Sequence, residues 1–289
     1  HNGDMANDFF YQFYEDEAST QLLDRIYSFA VVHEPSPWMG NRQTLQIMPV
    51  SRMEAGGDPV TDKEKRAEKF SRVNETAHAH YYSLNFDNGV KTEITPTDHA
   101  AYFRFTAPPN QSTLAVLFDN FKDVTGAVSI DAANGIVSGY TKPVLPQPGL
   151  PHMYFHARFD APVTVSGSAA FPAWLKFDTP DGRKTIGLRI ATSFISTDQA
   201  KANLDMEIGT KTFDEVLAKA KAAWNEKLNL IQVEGATEDQ KIILYSNLYR
   251  SFLYPNSAWE MVEGKAQYMS PYTHESRLKD GKIWVNNGF

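Results

Sequence analysis

The chain has 289 residues, of which 42% are apolar and 22% charged, a composition typical of a soluble globular protein with one large domain or two smaller ones. Its formal net charge of −7 argues against nucleic acid as a partner, because binding to phosphates needs a basic face. The absence of cysteine excludes disulfides and thiolate metal sites, and no run of about 18 apolar residues predicts a membrane span.

The two ends of the sequence suggest a piece of a longer protein. The chain starts at His1 without methionine and ends at Phe289 without a tail, so a missing signal peptide carries no information. The compartment stays open, because exported bacterial proteins often lack cysteine too. Bacterial secretion, the periplasm or the cell surface is favoured over the cytoplasm.

A proline-rich connection separates the first two predicted strands, residues 24–32 and 44–50. Pro35 and Pro37 fix φ and push the residues before them toward extended backbone, so we expect a stiff loop rather than a helix or a paired strand. Trp38 lies within this loop, directly after Pro37, so we expect the stiff backbone to present its indole side chain.

Trp38 stands among polar groups, with His33 before it and Asn41 after it. An aromatic face surrounded by hydrogen-bonding groups is typical of a site for a sugar or another small polar ligand. The alternative is that Trp38 caps a sandwich core and His33 bonds a backbone carbonyl. On these residues alone the core interpretation is favoured, because tryptophan is highly buried on average.

Most of the following chain has the pattern of short strands. Residues 51–75 are charged and predict a solvent-exposed excursion with at most a short helix near residues 62–69. Asn88-Gly89 lies between alternating segments and is a strong hairpin signal. Strands are predicted at residues 78–86, 89–96, 99–106, 113–118, 127–130, 136–140, 153–159, 161–166, 173–177 and 184–190. Ten or so strands without intervening helices predict a mainly β antiparallel sandwich and exclude a doubly wound fold.

Helical signals begin after Thr192. Residues 197–207 predict a short helix, and two capping boxes, at residues 212–215 and 237–240, predict the starts of two more. The apolar face of the first of these comprises Phe213, Leu217, Ala220, Trp224 and Leu228, and that of the second comprises Ile242, Tyr245, Tyr249 and Phe252 before Pro255. Residues 259–289 are aromatic and predicted to be irregular. The predicted domains are a sandwich at 1–192, a helical linker at 193–258 and the start of a further domain at 259–289.

Few motifs for chemistry appear in the chain. It has no phosphate-binding loop, dinucleotide fingerprint, nucleophile elbow or zincin helix. His78 and His80 could ligate a metal from one strand face, but no third ligand follows at sensible spacing, so an ordinary strand pair is favoured. The 35 acidic residues cannot be sorted into a catalytic pair by spacing, because such a pair is defined by geometry.

Four stretches of the chain resemble glycoside hydrolase family 92, the α-mannosidases. Residues 33–41 resemble the family's His-Gln/Glu-Pro-Ser-Pro-Trp-Met/Leu-Gly-Asp stretch, and residues 81–104, 190–204 and 224–250 resemble three further stretches in the family's order. The resemblance implies an N-terminal β-sandwich (supersandwich), linker helices and then an (α/α)6 barrel that is absent here. It also implies an inverting, calcium-dependent exo-α-mannosidase acting on N-glycan-type mannosides, with α-1,2 or related linkages.

By the same resemblance, the site lies between the sandwich and the barrel, and the general acid, the general base and most calcium contacts lie beyond Phe289. This segment alone is then expected to be inactive and to contain no catalytic residue and no metal ligand. Trp38, Asn41 and His33 become the candidate substrate-binding residues, although Asn41 stands where the family commonly has Asp. The segment should also dock with its own C-terminal catalytic domain.

A non-catalytic carbohydrate-binding sandwich is the alternative. Such a module should end in a sealed surface, whereas residues 259–289 contain several aromatic side chains without evident partners. That feature favours a docking surface for a further domain.

Overall fold

The computed structural model describes residues 25–31, 45–120, 126–142, 152–180, 184–253, 256–270, 277–282 and 285–286. Two antiparallel sheets dominate these residues, one with nine strands and one with five. The strands in chain order are β1 (Arg25–Ile26), β2 (Phe29–Ala30), β3 (Leu45–Val50), β4 (Glu68–His78), β5 (Tyr81–Phe86), β6 (Lys91–Pro96), β7 (Ala100–Thr106), β8 (Thr113–Asn120), β9 (Gly126–Asp131), β10 (Ile136–Thr141), β11 (Met153–Phe159), β12 (Val165–Gly167), β13 (Ala173–Asp178) and β14 (Thr185–Ser193).

The two sheets pack face to face around one apolar core. The larger sheet has the order β1-β4-β5-β6-β7-β14-β11-β10-β9, and the smaller has β12-β13-β8-β3-β2. Phe118 of the smaller sheet stacks on Phe155 of the larger, with ring centroids 6.1 Å apart, and both side chains are fully buried. Every pairing within these sheets is antiparallel, so the predicted sandwich is confirmed.

The prediction for residues 51–75 is wrong in part. The expected short helix is present as α1 (Lys63–Arg66), but the eleven-residue strand β4 starts at Glu68. Within the described residues, β1 pairs with β4 at Glu68 and Lys69, and most β4 side chains beyond Phe70 are exposed. Charged residues on an exposed strand hide the alternation that would predict it.

The three predicted helices are confirmed as α2 (Thr197–Glu207), α3 (Phe213–Leu228) and α4 (Glu238–Ser251). Both capping boxes form, with Thr212 paired to Glu215 and Thr237 to Gln240. Helix α2 packs on β11 and β14, and α3 packs on β6 and β7. They cover the outer face of the larger sheet through a second apolar cluster of Ala100, Tyr102, Ala191, Leu204, Ile208, Phe213 and Val216. No helix among the described residues is long and apolar enough to cross a bilayer.

The C-terminal region is more regular than predicted. Strands β16 (Trp259–Val262), β17 (Lys265–Ser270) and β18 (Arg277–Asp280) form a small antiparallel sheet, and β15 (Asn256–Ser257) pairs with β19 (Val285–Asn286). The turn between β16 and β17 has positive φ at Glu263 and Gly264, as a tight hairpin requires. The prediction of an irregular segment is therefore wrong, because the aromatic composition obscured a two-residue turn.

Candidate functional site

Several connections meet at one end of the sandwich, which we call the loop end. Strand β3 begins there at Leu45, directly opposite Asn120 at the end of β8. Asn120 reaches across to the larger sheet, since a Cβ on Gly126 would lie 3.1 Å from its Nδ2 atom. Gly126 starts β9, and the pairing from β9 through β10 and β11 leads to Ser193 at the end of β14. The loop end therefore includes the point where the chain leaves the sandwich.

The three predicted substrate-binding residues, Trp38, Asn41 and His33, lie outside the described residues, and their roles stay predictions. The strands on either side of this segment, β2 and β3, are described. Strands β2 and β3 pair antiparallel with Ala30 opposite Gln46, so the chain leaves β2 and re-enters β3 at the loop end.

A buried ion pair fixes this part of the smaller sheet. Arg66 of α1 is 0% exposed, and its Nη2 atom donates to Asp119 Oδ2 at 2.7 Å. Lys63 donates to the carbonyl of Asn120 at 2.7 Å. Breaking a buried ion pair costs about 3–5 kcal/mol, because it leaves an unbalanced charge. Sequence reasoning missed the pair since 53 positions separate its members, and only strand β8 brings them together.

On the larger sheet, the turn between β6 and β7 carries His99 to the loop end. Its Nδ1 atom lies 2.6 Å from Glu207 Oε1, and its Nε2 atom lies 3.0 Å from the carbonyl oxygen of Trp259. Glu207 also accepts hydrogen bonds from the backbone N–H of His99, at 2.9 Å, and from the hydroxyl of Thr97. One histidine thus joins the sandwich, the end of α2 and the start of β16.

Glu260, the next residue along β16, is also buried. Its Oε1 atom accepts from the backbone N–H of Phe194 and its Oε2 atom accepts from Asn203 Nδ2, each at 2.8 Å. Gln199 Nε2 donates to the carbonyl of Met261 at 2.8 Å. Residues 259, 260 and 261 of β16 are therefore each held by a hydrogen bond from the sandwich or from α2.

A third buried carboxylate, Glu93, lies on the outer face of the larger sheet under α3. It accepts two hydrogen bonds from Arg104, both at 2.8 Å, and one from the Tyr81 hydroxyl at 2.7 Å. Burial favours its neutral form, but Arg104, Tyr81 and Lys91 outweigh burial and lower the pKa of Glu93 to about 2. The Arg104 guanidinium also lies 4.2 Å from the ring centre of Phe213, which ties α3 to the sheet.

These carboxylates hold structure together rather than supply proton transfer. The oxygens of Glu93, Glu207 and Glu260 accept hydrogen bonds from protein groups. In the part of the chain that the structure describes, no group of three or more His, Asp or Glu side chains is arranged to hold a metal ion. His78 and His80 stack with ring centroids 5.7 Å apart beside the turn that joins β4 to β5.

An exposed apolar surface flanks the loop end. All residues of α4 are described and none of them is buried, with Ile242 56% and Ile243 62% exposed. Between α4, the end of α3 and the turn beside His78 lies a groove of about 530 Å³, lined in part by Tyr245 and Tyr249. The predicted apolar face of α4 therefore exists, but its Ile242 side chain is not covered by the described residues.

Two family models cover most of the chain. Residues 11–193 match the glycosyl hydrolase family 92 N-terminal domain, and residues 199–288 match the glycosyl hydrolase family 92 catalytic domain. The chain belongs to glycosyl hydrolase family 92. The resemblance noted in the sequence is thereby confirmed. The hydrogen bonds of His99 with Glu207 and with Trp259 join the two matched regions.

Solved family 92 structures share the fold. An inverting mannosidase of the family from Bacteroides thetaiotaomicron superposes with a TM-score of 0.78 and 28% identity, over 89% of this chain and 36% of its own. A second family 92 α-mannosidase from that bacterium, solved in complex with mannoimidazole, has a TM-score of 0.73 and 20% identity, over 91% of this chain and 37% of its own.

A curated relative is an uncharacterized secreted glycosidase from Arthroderma benhamiae. It is 25% identical over 279 residues, which cover 78% of this chain and 36% of the relative. The chain thus spans about a third of the length of the relatives it matches.

Proposed function

We propose that the protein containing this chain is an inverting exo-α-mannosidase that removes terminal α-mannose from N-glycans, through α-1,2 or related linkages. The observation that carries the proposal is the match to both family 92 regions, together with 28% identity to an inverting mannosidase. The relative solved with mannoimidazole supports a mannose-type substrate.

This chain would contribute substrate contacts at the cleft between the sandwich and the catalytic domain. The segment carrying Trp38 is attached at the loop end, where β16 of the matched catalytic region also packs. Trp38 would stack on the apolar C–H face of a mannose ring, Asn41 would bond a hydroxyl, and His33 would orient the loop. This role is supported by the positions of β2, β3 and β16. The strands that flank the Trp38 segment and the start of β16 lie at the same end of the sandwich.

The remaining part of the catalytic domain would cover the exposed helical surface. Large apolar side chains exposed there are Leu230, Ile231, Val233, Ile242, Ile243 and Phe252. Exposed large apolar side chains at this density favour an interaction surface. The match of residues 199–288 to a catalytic domain favours this occupant over the alternative of a free-standing carbohydrate-binding module.

Calcium would be required by the complete enzyme. The protein would hold the ion through oxygen ligands, and the ion would bind two mannose hydroxyls and help to distort the sugar ring. Its ligands are assigned mostly to the remainder of the catalytic domain, as the family resemblance implies.

Mannose release from an aryl α-mannoside and from α-1,2-linked mannobiose tests the proposal. The protein with a complete catalytic domain should release mannose from both substrates, whereas the 289-residue chain should not exceed a no-enzyme control. The acid and base of an inverting enzyme lie about 6.5–9.5 Å apart, and the family resemblance implies that both are outside this chain. Release by the 289-residue chain, or no release by the complete protein, would contradict the proposal.

A further inference from the structure

One contact between the two family 92 regions is made by a histidine with an unusual hydrogen-bonding requirement. His99 faces an acceptor at each ring nitrogen, the Glu207 carboxylate at Nδ1 and the Trp259 carbonyl at Nε2. A neutral imidazole has only one N–H, so it can satisfy only one of these acceptors. Both contacts are at hydrogen-bonding distance, and therefore the geometry calls for an imidazolium.

The surroundings stabilise that charge. Burial of the His99 ring works against it, but the hydrogen bond and charge of Glu207, the charge of Glu260 and the Trp259 carbonyl outweigh burial and raise the pKa of His99 to about 9. Burial of Glu207 likewise favours its neutral form, yet His99 and Thr97 keep the pKa of this carboxyl below its usual value. The nearby Lys211 ammonium points to backbone carbonyls at the end of α2.

We propose that His99, as an imidazolium held by Glu207, is the positioning residue that locks strand β16 of the catalytic region onto the sandwich. The Trp259 carbonyl is the only contact of the His99 ring with β16 among the described hydrogen bonds. Losing the Nε2 proton would turn that contact into two facing lone pairs. This contact therefore holds at neutral pH and is lost in alkali, whereas the hydrogen bonds of β16 with Phe194, Asn203 and Gln199 remain.

The direction of the pH effect follows from the sign of the shift. Glu207 belongs to α2 and stays beside His99 whether or not β16 is docked, so only the parts of the pKa rise due to Glu260 and the Trp259 carbonyl favour docking. That contribution is present while His99 is protonated and is lost as pH rises through about 9. This inference concerns the joint alone and does not depend on the substrate.

Nitrogen NMR of the histidine rings and hydrogen exchange of the backbone test the proposal on the 289-residue chain. At pH 7.5 both ring nitrogens of His99 should carry protons. Between pH 8 and 10, the exchange protection of the amides in β16 and β17 should fall, relative to amides of the core strand β8, with a midpoint near 9. A neutral His99 ring at pH 7.5 would overturn the proposal.

The substitution Glu207→Gln removes the counter-charge with little change in shape. It should make the His99 ring neutral at pH 7.5, so the loss of exchange protection in β16 and β17 between pH 8 and 10, measured relative to β8, should disappear. Asp205→Asn is the matched control, because it makes the same chemical change in the same helix at an exposed ion pair with Arg158 and Lys201. The control should behave like the unmodified chain.

A folded Glu207→Gln variant in which β16 still loses its exchange protection with a midpoint near pH 9 would show that the pH dependence does not arise at His99. If that variant does not fold, the pH titration of the unmodified chain still decides between the outcomes. A merely structural role for Glu207 would lower the melting temperature without moving the exchange midpoint of β16 relative to β8.

Discussion

Replacing Glu93 by glutamine should lower the free energy of unfolding by about 2–3 kcal/mol at pH 7. Glu93 is 5% exposed and receives two hydrogen bonds from Arg104 and one from Tyr81. Glutamine keeps the shape of the side chain but removes the charge that balances the guanidinium. The substitution therefore leaves a partly buried cation without its main partner.

The magnitude follows from the pKa of Glu93. A drop from 4.5 to about 2, at about 1.36 kcal/mol for each unit, is worth about 3 kcal/mol. The Arg104 and Lys91 side chains are 31% and 36% exposed, so solvent screening reduces this value somewhat. Because the pKa is lowered by folding, the stabilisation is complete above about pH 4.5 and is lost as pH falls toward 2.

Urea unfolding of the chain and of the Glu93→Gln variant at pH 7 and pH 3 checks the reasoning. At pH 3 the unfolded glutamate is mostly protonated while the folded one is still ionised, so the difference between the two proteins should shrink to about 1 kcal/mol. Glu226→Gln, at an exposed position of α3, is the control and should have no effect. An equal difference at both pH values, or none at pH 7, would refute the assignment of charge to Glu93.

Three further predictions concern packing, substrate contact and metal. Gly139→Ala should destabilise the chain by about 2 kcal/mol or more, because its Cβ would lie 2.0 Å from the Ala127 carbonyl oxygen. Gly56→Ala is the control: nothing lies within 4 Å of its Cβ, so thermal unfolding should be unchanged. In the complete enzyme, Trp38→Ala should lower kcat/KM about ten- to a hundredfold with little change in melting temperature, and a large drop in melting temperature with unchanged kinetics would return Trp38 to the core. Chelation of calcium should abolish mannose release and added calcium should restore it, and full activity in the chelator would contradict the calcium proposal.

The elements that sequence predicted correctly are those with local causes. The capping boxes at Thr212 and Thr237 set the starts of α3 and α4 from residues three positions apart. The Asn88-Gly89 turn needs only a residue that accepts positive φ, and Gly89 has a φ of 87°. Because each signal lies within one turn of chain, tertiary structure was not needed to find it.

The features that sequence could not predict depend on distant parts of the chain. The contact of His99 with Glu207 spans 108 positions, and that with Trp259 spans 160. Strand β4 was missed because its exposed side chains are mostly charged or polar, and its position is set by pairing with β5. Periodicity predicted the apolar face of α4, yet it carried no information on what covers Ile242.

The anomeric configuration of the sugar released by the protein with its complete catalytic domain tests the central proposal most directly. Proton NMR during hydrolysis of an aryl α-mannoside resolves the first-formed anomer before mutarotation mixes the two forms. An inverting α-mannosidase forms β-mannose first, with the α anomer growing in later. Appearance of α-mannose as the first product, or no mannose at all, would contradict the proposed function.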